Sequence, residues 1–291
     1  MKKRILFIIN PISGGKDKGD FPGLAEKYLD PGLFIPEYVF TKSAGHAFDL
    51  ALEAVRRETP VVVAVGGDGT INEVASAVEN SETVMGIVPC GSGNGLALSL
   101  NISLNKRKAI EALNGMRCRK IDFGTLNGRK FFNMAGVGFD ANISHKFATM
   151  SSRGFFGYVK TSITEVLQYK SHNYVIEIDG RTVERKAFMI SIANSPQYGN
   201  NAYISPGALL NDGLLDVCIV APFPLWTFPG LVWRMFTKSS YKSPYLEIIK
   251  GKNIRIVTDN DKMMIHLDGE PGEATKELSI SVRPSSLSVL Y

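Results

Sequence analysis

The octapeptide Gly66-Gly67-Asp68-Gly69-Thr70-Ile71-Asn72-Glu73 sets one carboxylate among three glycines. It follows the apolar run Val61-Val62-Val63-Ala64-Val65 and precedes residues with helical spacing. Glycine tolerates φ > 0 and lets backbone approach a ligand closely. A helix N-terminus offers N–H groups and the positive end of a dipole, and a carboxylate is a hard oxygen ligand suited to Mg²⁺. Together these describe a seat for a metal-bound polyphosphate. A tight strand-to-helix turn capped by Asp68 uses the same residues, and in either case Asp68, as a loop residue, is expected to carry little packing. Two further small-residue loops end apolar runs: Asn10-Pro11-Ile12-Ser13-Gly14-Gly15-Lys16 and Pro89-Cys90-Gly91-Ser92-Gly93-Asn94-Gly95. The first could cradle phosphate, with Lys16 as a mobile cation, or be an ordinary surface turn. It lacks the Gly-Lys-Ser/Thr ending of a P-loop. The second could clamp a nucleotide or be a helix entry capped by Asn94. Far along the chain, Asp268-Gly269-Glu270 follows a strand-like run. Asp-Gly is ordinary hairpin chemistry, yet a carboxylate such as Glu270 also suits proton removal from an acceptor hydroxyl in phosphoryl transfer.

The elements that must position these residues fall into two patterns. Up to about residue 120, strand-like segments (5–9, 34–40, 61–65, 84–88) alternate with helix-like ones (21–29, 44–57, 71–78, 106–113), which suggests a mostly parallel α/β sheet. The three glycine-rich loops follow the first, third and fourth strands, and ligands of open parallel sheets bind at the carboxyl ends of strands. One crevice is therefore expected. After Asp122-Phe123-Gly124 strands dominate (130–135, 174–178, 187–193, 215–220, 253–258, 263–267, 278–282), with helical stretches near 141–150 and 156–169. That pattern predicts an antiparallel β-sandwich. The expected domains are 1–123, completed by 284–291, and 124–283.

In this order and at similar spacing, the segments Asn10-Pro11…Ser13-Gly14, Gly66-Gly67-Asp68-Gly69-Thr70…Glu73, Gly91-Ser92-Gly93-Asn94, Asp122…Gly124, 136–141 and Asp268-Gly269-Glu270 resemble the diacylglycerol kinase catalytic-domain family. That family takes in soluble bacterial lipid kinases, sphingosine kinases and ceramide kinases. The likeness spans essentially the whole chain. It implies a phosphofructokinase-like (NAD kinase-like) α/β domain, a C-terminal antiparallel β-sandwich that handles lipid, and ATP between the domains. It also implies that Asn10, Ser13, Thr41, Gly66, Gly67, Gly69, Thr70, Glu73, Gly91 and Ser92 line the nucleotide, and that Asp68 holds Mg²⁺. Glu270 becomes the base for the lipid hydroxyl, with Asp268 and Gly269 beside it and Asp122 a further acid near the reaction. Arg153 and Lys160 become candidates for phosphate contact. Asp212, in Asn211-Asp212-Gly213-Leu214, becomes a candidate ligand of a structural Mg²⁺, or else part of a plain Asx turn.

The resemblance leaves the lipid open. The loop at 89–97 is similar to the sphingosine kinase form, but the stretch Gly138-Phe139-Asp140-Ala141-Asn142-Ile143-Ser144 has Asn142 and Ser144 where those enzymes place acids. Asp140 could meet a sphingoid ammonium only in a different register. Diacylglycerol or a related glycerolipid ranks first and a sphingoid base second. An NAD kinase stands further back, because Asn10-Pro11…Ser13-Gly14 and Asp268-Gly269-Glu270 fit lipid kinases, and so does a non-catalytic nucleotide or lipid sensor on the same fold, because Asp68 and Glu270 are both present.

Bulk properties limit other classes. The 291 residues carry a net charge of +5, suited to anionic ligands or membrane surfaces and too weak to argue for nucleic acid. Cys90, Cys118 and Cys218 are scattered in a way that suits a reducing cytoplasm and no disulfide framework. The start of the chain reads as a buried strand rather than a leader, and no apolar stretch is long enough for a membrane-spanning helix. His46, His145, His172 and His266 suggest no metal site and read as structural or solvated. Phe147, Phe155 and Phe156 could line a channel for lipid chains or fill core. Both tryptophans lie in the aromatic, basic segment 221–246. That segment fits either a helix packed on the sandwich or transient contact with the inner membrane surface. A homodimer is left open.

Overall fold

The structure, a computed structural model, describes residues 2–15, 18–149 and 165–291, without the side chains of 147–149 and 261. Arg153, Phe155, Phe156, Lys160, Lys16 and the Phe147 side chain therefore lie outside the described residues. The chain divides into two compact units, Met1–Ile121 with Ser285–Tyr291, and Asp122–Pro284.

In the first unit the apolar runs are strands: β1 (Lys3–Ile9), β2 (Phe34–Phe40), β3 (Val61–Gly66) and β4 (Val84–Pro89). β3 is buried along its whole length, as a central parallel strand covered on both faces must be. The helices are α1 (Phe21–Tyr28), α2 (His46–Arg56), α3 (Asp68–Val78), the short α4 (Gly95–Ser99) and α5 (Lys106–Leu113). The sheet order is β2-β1-β3-β4, all parallel. The end of the last strand, β14 (Glu270–Leu290), lies parallel to β4 through Val289 and Met85. The chain steps outward from β1 to β2, then crosses back to β3 and continues to β4. The strand order thus reverses between β1 and β3, and the loops after those two strands open at the switch point.

The second unit is antiparallel. Its strands are the end of β5 (Cys118–Leu126), β6 (Arg129–Phe131), β7 (Met134–Gly138), β8 (His172–Ile178), β9 (Arg181–Ala187), β10 (Met189–Ala193), β11 (Leu215–Val220), β12 (Leu246–Gly251), β13 (Asn253–Leu267) and most of β14. The two runs expected at 253–258 and 263–267 are one strand, β13. Its first part pairs with β8, its last part pairs with β7, and β14 accompanies both across a register shift between Val257 and Lys262. That shift lets one strand serve two layers. Ile176, Ile178, Ile254 and Ile256 meet Val137, Ile190, Val217 and Ile265 in the enclosed core. α6 (Phe139–Thr149) packs against β7, β10 and β13. α7 (Phe228–Phe236) lies in the segment that holds both tryptophans.

Candidate active site

The glycine-rich loops of the first unit meet backbone to backbone. A Cβ on Gly14 would fall 2.1 Å from the Cys90 carbonyl oxygen, and one on Gly91 would fall 2.6 Å from Gly67 Cα. A Cβ on Gly93 would fall 2.9 Å from Asp68 Oδ2. These approaches leave no room for a side chain, so glycine is required by packing as well as by φ (Gly14 sits at +66°). Asn10 ties the first loop to the second: its Nδ2 donates to Thr70 Oγ1 at 3.0 Å, and its own N–H donates to Val65 O at 2.9 Å. Ser13 Oγ donates to Asn10 O at 3.3 Å. The buried Lys18 donates from Nζ to Ser13 O, an ammonium under this turn that sequence reasoning missed.

Asp68 stands at the start of α3 and binds the third loop. Its Oδ2 accepts the Asn94 N–H at 2.8 Å, and its Oδ1 accepts the Gly95 N–H at 2.9 Å. The expectation that Asp68 carries little packing is therefore corrected, because it holds two loops together. The alternative of a helix entry capped by the Asn94 side chain is not met either. Asn94 adopts φ 52° and makes no side-chain cap on α4. Its amide instead closes its own loop, accepting from Gly91 N at 2.9 Å and donating to Gly91 O at 2.8 Å. Ser92 is exposed at the tip of that loop. Thr41 follows β2, its N–H donating to Ile9 O at 2.8 Å. Glu73 is engaged at the start of α2, where Oε1 accepts Gly45 N–H at 2.8 Å and Oε2 accepts Ala47 N–H at 3.0 Å.

In the second unit, Asp268 (φ 50°) and Gly269 (φ 86°) turn β13 into β14, with Leu267 opposite Glu270. Positive φ at both central residues is the tight hairpin geometry that favours Asp-Gly. The Asp268 carboxylate accepts the N–H groups of Phe132 (2.9 Å), Asn133 (2.8 Å) and Met134 (2.9 Å). The hairpin bearing Glu270 is thereby fixed to the β6–β7 connection. Asp122 is fully buried, and its Oδ2 accepts Gly213 N–H at 2.7 Å. Asp212 Oδ1 accepts Leu214 N–H at 3.1 Å in an Asx turn, and its Oδ2 is 3.2 Å from Lys250 Nζ. The same ammonium lies 2.7 Å from Asp216.

A buried polar cluster beside this hairpin was not foreseen. His266 Nε2 lies 2.8 Å from Asp140 Oδ2. The same oxygen accepts Ser191 Oγ and Tyr198 Oη at 2.9 Å each. Burial alone would raise the Asp140 pKa, but the imidazolium of His266 and the two hydroxyls hold it below the ordinary value. Burial opposes charge on His266 too, and the carboxylates of Asp140 and Asp268 raise its pKa. The two shifts describe an ion pair. A Cβ on Gly136 would sit 2.7 Å from both Asp140 Oδ2 and His266 Nε2, so glycine makes room for the pair. The available signal was an ionisable residue in the alternating strand directly before Asp268-Gly269-Glu270. A separate cavity of about 420 Å³ is bordered by Asn142, Tyr169, Tyr174, Lys262, Met263 and Met264 among others, and its described lining holds no carboxylate.

A parallel α/β unit with glycine loops gathered at its switch point around one carboxylate, joined to a β-sandwich, defines a phosphotransferase of the NAD kinase and lipid kinase fold. The comparisons with known proteins agree. A family model of the diacylglycerol kinase catalytic domain matches residues 4–126, and one of the YegS C-terminal NAD kinase beta sandwich-like domain matches residues 133–291. The diacylglycerol kinase of Bacillus subtilis is 28% identical over 279 residues, covering 93% of this chain and 90% of that protein. A "probable lipid kinase YegS-like" protein of Pectobacterium atrosepticum is 30% identical over 248 residues, 81% of this chain and 79% of that one. The crystal structure of a diacylglycerol kinase from Bacillus anthracis superposes with a TM-score of 0.76 at 19% identity, covering 99% of this chain and 97% of that one. Yeast NADH kinase does so at 0.51 and 14%, over 99% and 83% of the two chains. These last two likenesses speak for the fold alone. The chain belongs to the diacylglycerol kinase catalytic-domain family and is a lipid kinase, a phosphotransferase with an alcohol group as acceptor. Such kinases use ATP and a divalent metal.

Proposed function

We propose that this kinase transfers the γ-phosphoryl group of ATP to the hydroxyl of diacylglycerol or a closely related glycerolipid, with Mg²⁺ as the metal. The carrying observation for the acceptor is the state of Asp140. It is the one acid in the stretch 138–144, and it is buried in an ion pair with His266. It is thus spent on an internal cation and is not offered to the ammonium of a sphingoid base, which would be costly to bury unpaired. The nearby cavity, with Lys262 and no described carboxylate, also suits a neutral or anionic lipid.

For the donor, the residues present fit a polyphosphate. Loops that touch at Gly14, Gly67 and Gly91 offer bare backbone. Asp68 Oδ2 and Oδ1 accept the Asn94 and Gly95 N–H groups, and its carboxylate is a hard oxygen ligand of the kind a divalent metal takes. Asn10, Ser13, Thr41, Gly66, Gly67, Gly69, Thr70, Gly91 and Ser92 line the donor in this reading. Glu73 acts indirectly, by fixing the start of α2. The metal supplies charge neutralisation for the phosphates. Glu270 takes the proton from the acceptor hydroxyl, the alcohol oxygen bonds to the γ-phosphorus, and the bond to ADP breaks. Asp268 and Gly269 hold the hairpin that aims Glu270, and Asp122 holds the 210–213 turn. Asp212, the candidate ligand of a structural Mg²⁺, shares the Lys250 ammonium with Asp216, so a single positive charge faces two carboxylates there. A cytoplasmic enzyme that visits the inner membrane surface follows from a bilayer acceptor. Among the described residues no helix is long and apolar enough to cross a membrane.

The test is a competition assay with labelled ATP and Mg²⁺, offering diacylglycerol and sphinganine together in mixed micelles. Phosphatidic acid is the expected product. Preferential phosphorylation of sphinganine, abolished by Asp140→Asn, would overturn the acceptor assignment.

A further inference from the structure

The second unit carries an apolar, basic surface that its own core does not use. α7 has no buried residue, although five of its nine residues are Phe, Leu, Val, Trp and Met and a sixth is a second Phe. Its inner side is anchored: Phe228 stacks on Phe223, whose ring packs against Phe188, and Met235 O accepts the Tyr203 N–H at 3.0 Å. Its outer side is a stripe at helical spacing, since Pro229, Gly230, Trp233 and Phe236 are exposed. The turns at Leu225–Thr227 and Ser240–Lys242 both pack against α7 and extend the stripe. Trp226 is 82% exposed, Trp233 69%, Tyr241 58% and Leu225 47%. Single exposed apolar residues need no explanation, but a cluster of large ones marks an interaction surface.

The charges name the partner. Residues 217–246 contain no Asp or Glu, and their only ionised side chains are Arg234, Lys238 and Lys242. Lys238 and Lys242 are exposed, with Nζ 4.6 Å from the Tyr203 ring and 5.7 Å from the Tyr241 ring. Tryptophans edged by basic residues on a helix lying flat suit the headgroup region of an anionic bilayer.

We infer that the face formed by Trp226, Trp233, Phe236 and Tyr241, with Arg234, Lys238 and Lys242, docks this kinase on anionic lipid bilayers. The inference rests on the lipid-kinase reading for its purpose but not for its measurement. Trp226 and Trp233 are the only tryptophans in the chain, so tryptophan fluorescence, excited selectively over the ten tyrosines, reports on this surface. With the full chain, vesicles containing phosphatidylglycerol and bromine-labelled acyl chains are expected to quench that fluorescence and to pellet the protein. Phosphatidylcholine vesicles are expected to bind roughly 100-fold more weakly, about fivefold for each of three cations. Trp226→Ala/Trp233→Ala and Arg234→Gln/Lys238→Gln/Lys242→Gln should each lower pelleting about tenfold or more. Both should lower turnover of vesicle-embedded diacylglycerol while sparing turnover of a water-soluble short-chain diacylglycerol. Absence of quenching and pelleting on anionic vesicles would overturn the inference even with soluble-acceptor activity intact. So would a concentration-dependent dimer in sedimentation velocity that the tryptophan variant abolishes. Loss of activity on every acceptor, with vesicle binding retained, would instead count against the acceptor assignment and leave the docking surface standing.

Discussion

Asp140→Asn tests whether the cluster beside the Glu270 hairpin is an ion pair. One oxygen, Asp140 Oδ2, accepts hydrogen bonds from Ser191 Oγ and Tyr198 Oη at 2.9 Å each, and His266 Nε2 lies 2.8 Å away as an ion-pair contact. An asparagine oxygen can keep the two hydroxyl bonds but not the charge. His266 is then a lone buried cation and must discharge rather than remain ionised. Removing one partner of a buried pair costs about 3–5 kcal/mol, and the surviving hydroxyl bonds put this case at the lower end, about 3 kcal/mol. For a unit of this size that is a fall of about 6–12 °C in the melting transition of residues 122–284. The pH dependence has a definite sign. His266 is raised in the folded state, so its contribution is full below its unfolded value of about 6.5 and fades as pH climbs through the folded value. Asp140 is lowered, so its contribution is full above its unfolded value of about 3.9 and fades as pH falls through the folded one. The groups facing His266 are Asp140 and, more weakly, Asp268. The gap between wild type and variant should therefore be widest from about pH 4 to 6.5 and narrow at alkaline pH. Urea unfolding at pH 6 and pH 9, followed by a probe of the second unit, measures it. A gap under about 1 kcal/mol, or one that does not change between those pH values, would show that the pair is uncharged and that the cluster is packing only.

Other outcomes follow from the loops. Asp68→Asn should abolish most turnover and also lower the stability of the first unit by about 1.5–3 kcal/mol, since one of its two N–H acceptors becomes a donor; full activity in a folded variant, read by steady-state kinetics and thermal melting, would remove Asp68 from the metal role. Glu270→Gln should lower kcat by about 10²-fold or more with ATP affinity retained; a large loss of ATP binding by calorimetry with kcat preserved would move Glu270 to the nucleotide. Gly91→Ala would place a methyl 2.6 Å from Gly67 Cα and 3.0 Å from Asn94 Oδ1. Backbone must move there, so kcat/KM for ATP should fall by about 10²-fold; an unchanged value would show that the close approach of the two loops is irrelevant to the donor.

Much of the fold was legible because its signals are local. The run at 61–65, short, rich in valine and bounded by Pro60 and Gly66, reads as a buried strand, and the helices at 71–78 and 106–113 follow from their periodicity. Other elements escaped. α4 is too short to show a period. The strand at 118–126 carries the change of pattern at Asp122-Phe123-Gly124 and so reads as a boundary, and the strand at 246–251 has partly exposed residues without clear alternation. The runs at 253–258 and 263–267 looked separate because the polar residues between them mark a register shift inside one strand.

The site divides in the same way. The amino-acid sequence by itself singled out the residues proposed to carry the chemistry. Carboxylates among glycines at strand ends have few other uses, and their ordered set identified the family. Only the tertiary structure decided what each group is already bonded to. It gave Asp68 to the N–H groups of Asn94 and Gly95, Glu73 to those of Gly45 and Ala47, Asp268 to those of 132–134, and Asp140 to His266. Those partners lie between 26 and 136 residues away along the chain. Hydrogen bonds and ion pairs depend on distances of a few ångströms in space. Residue spacing constrains such distances only within one helix turn or one hairpin, and beyond that the folded sheets set them.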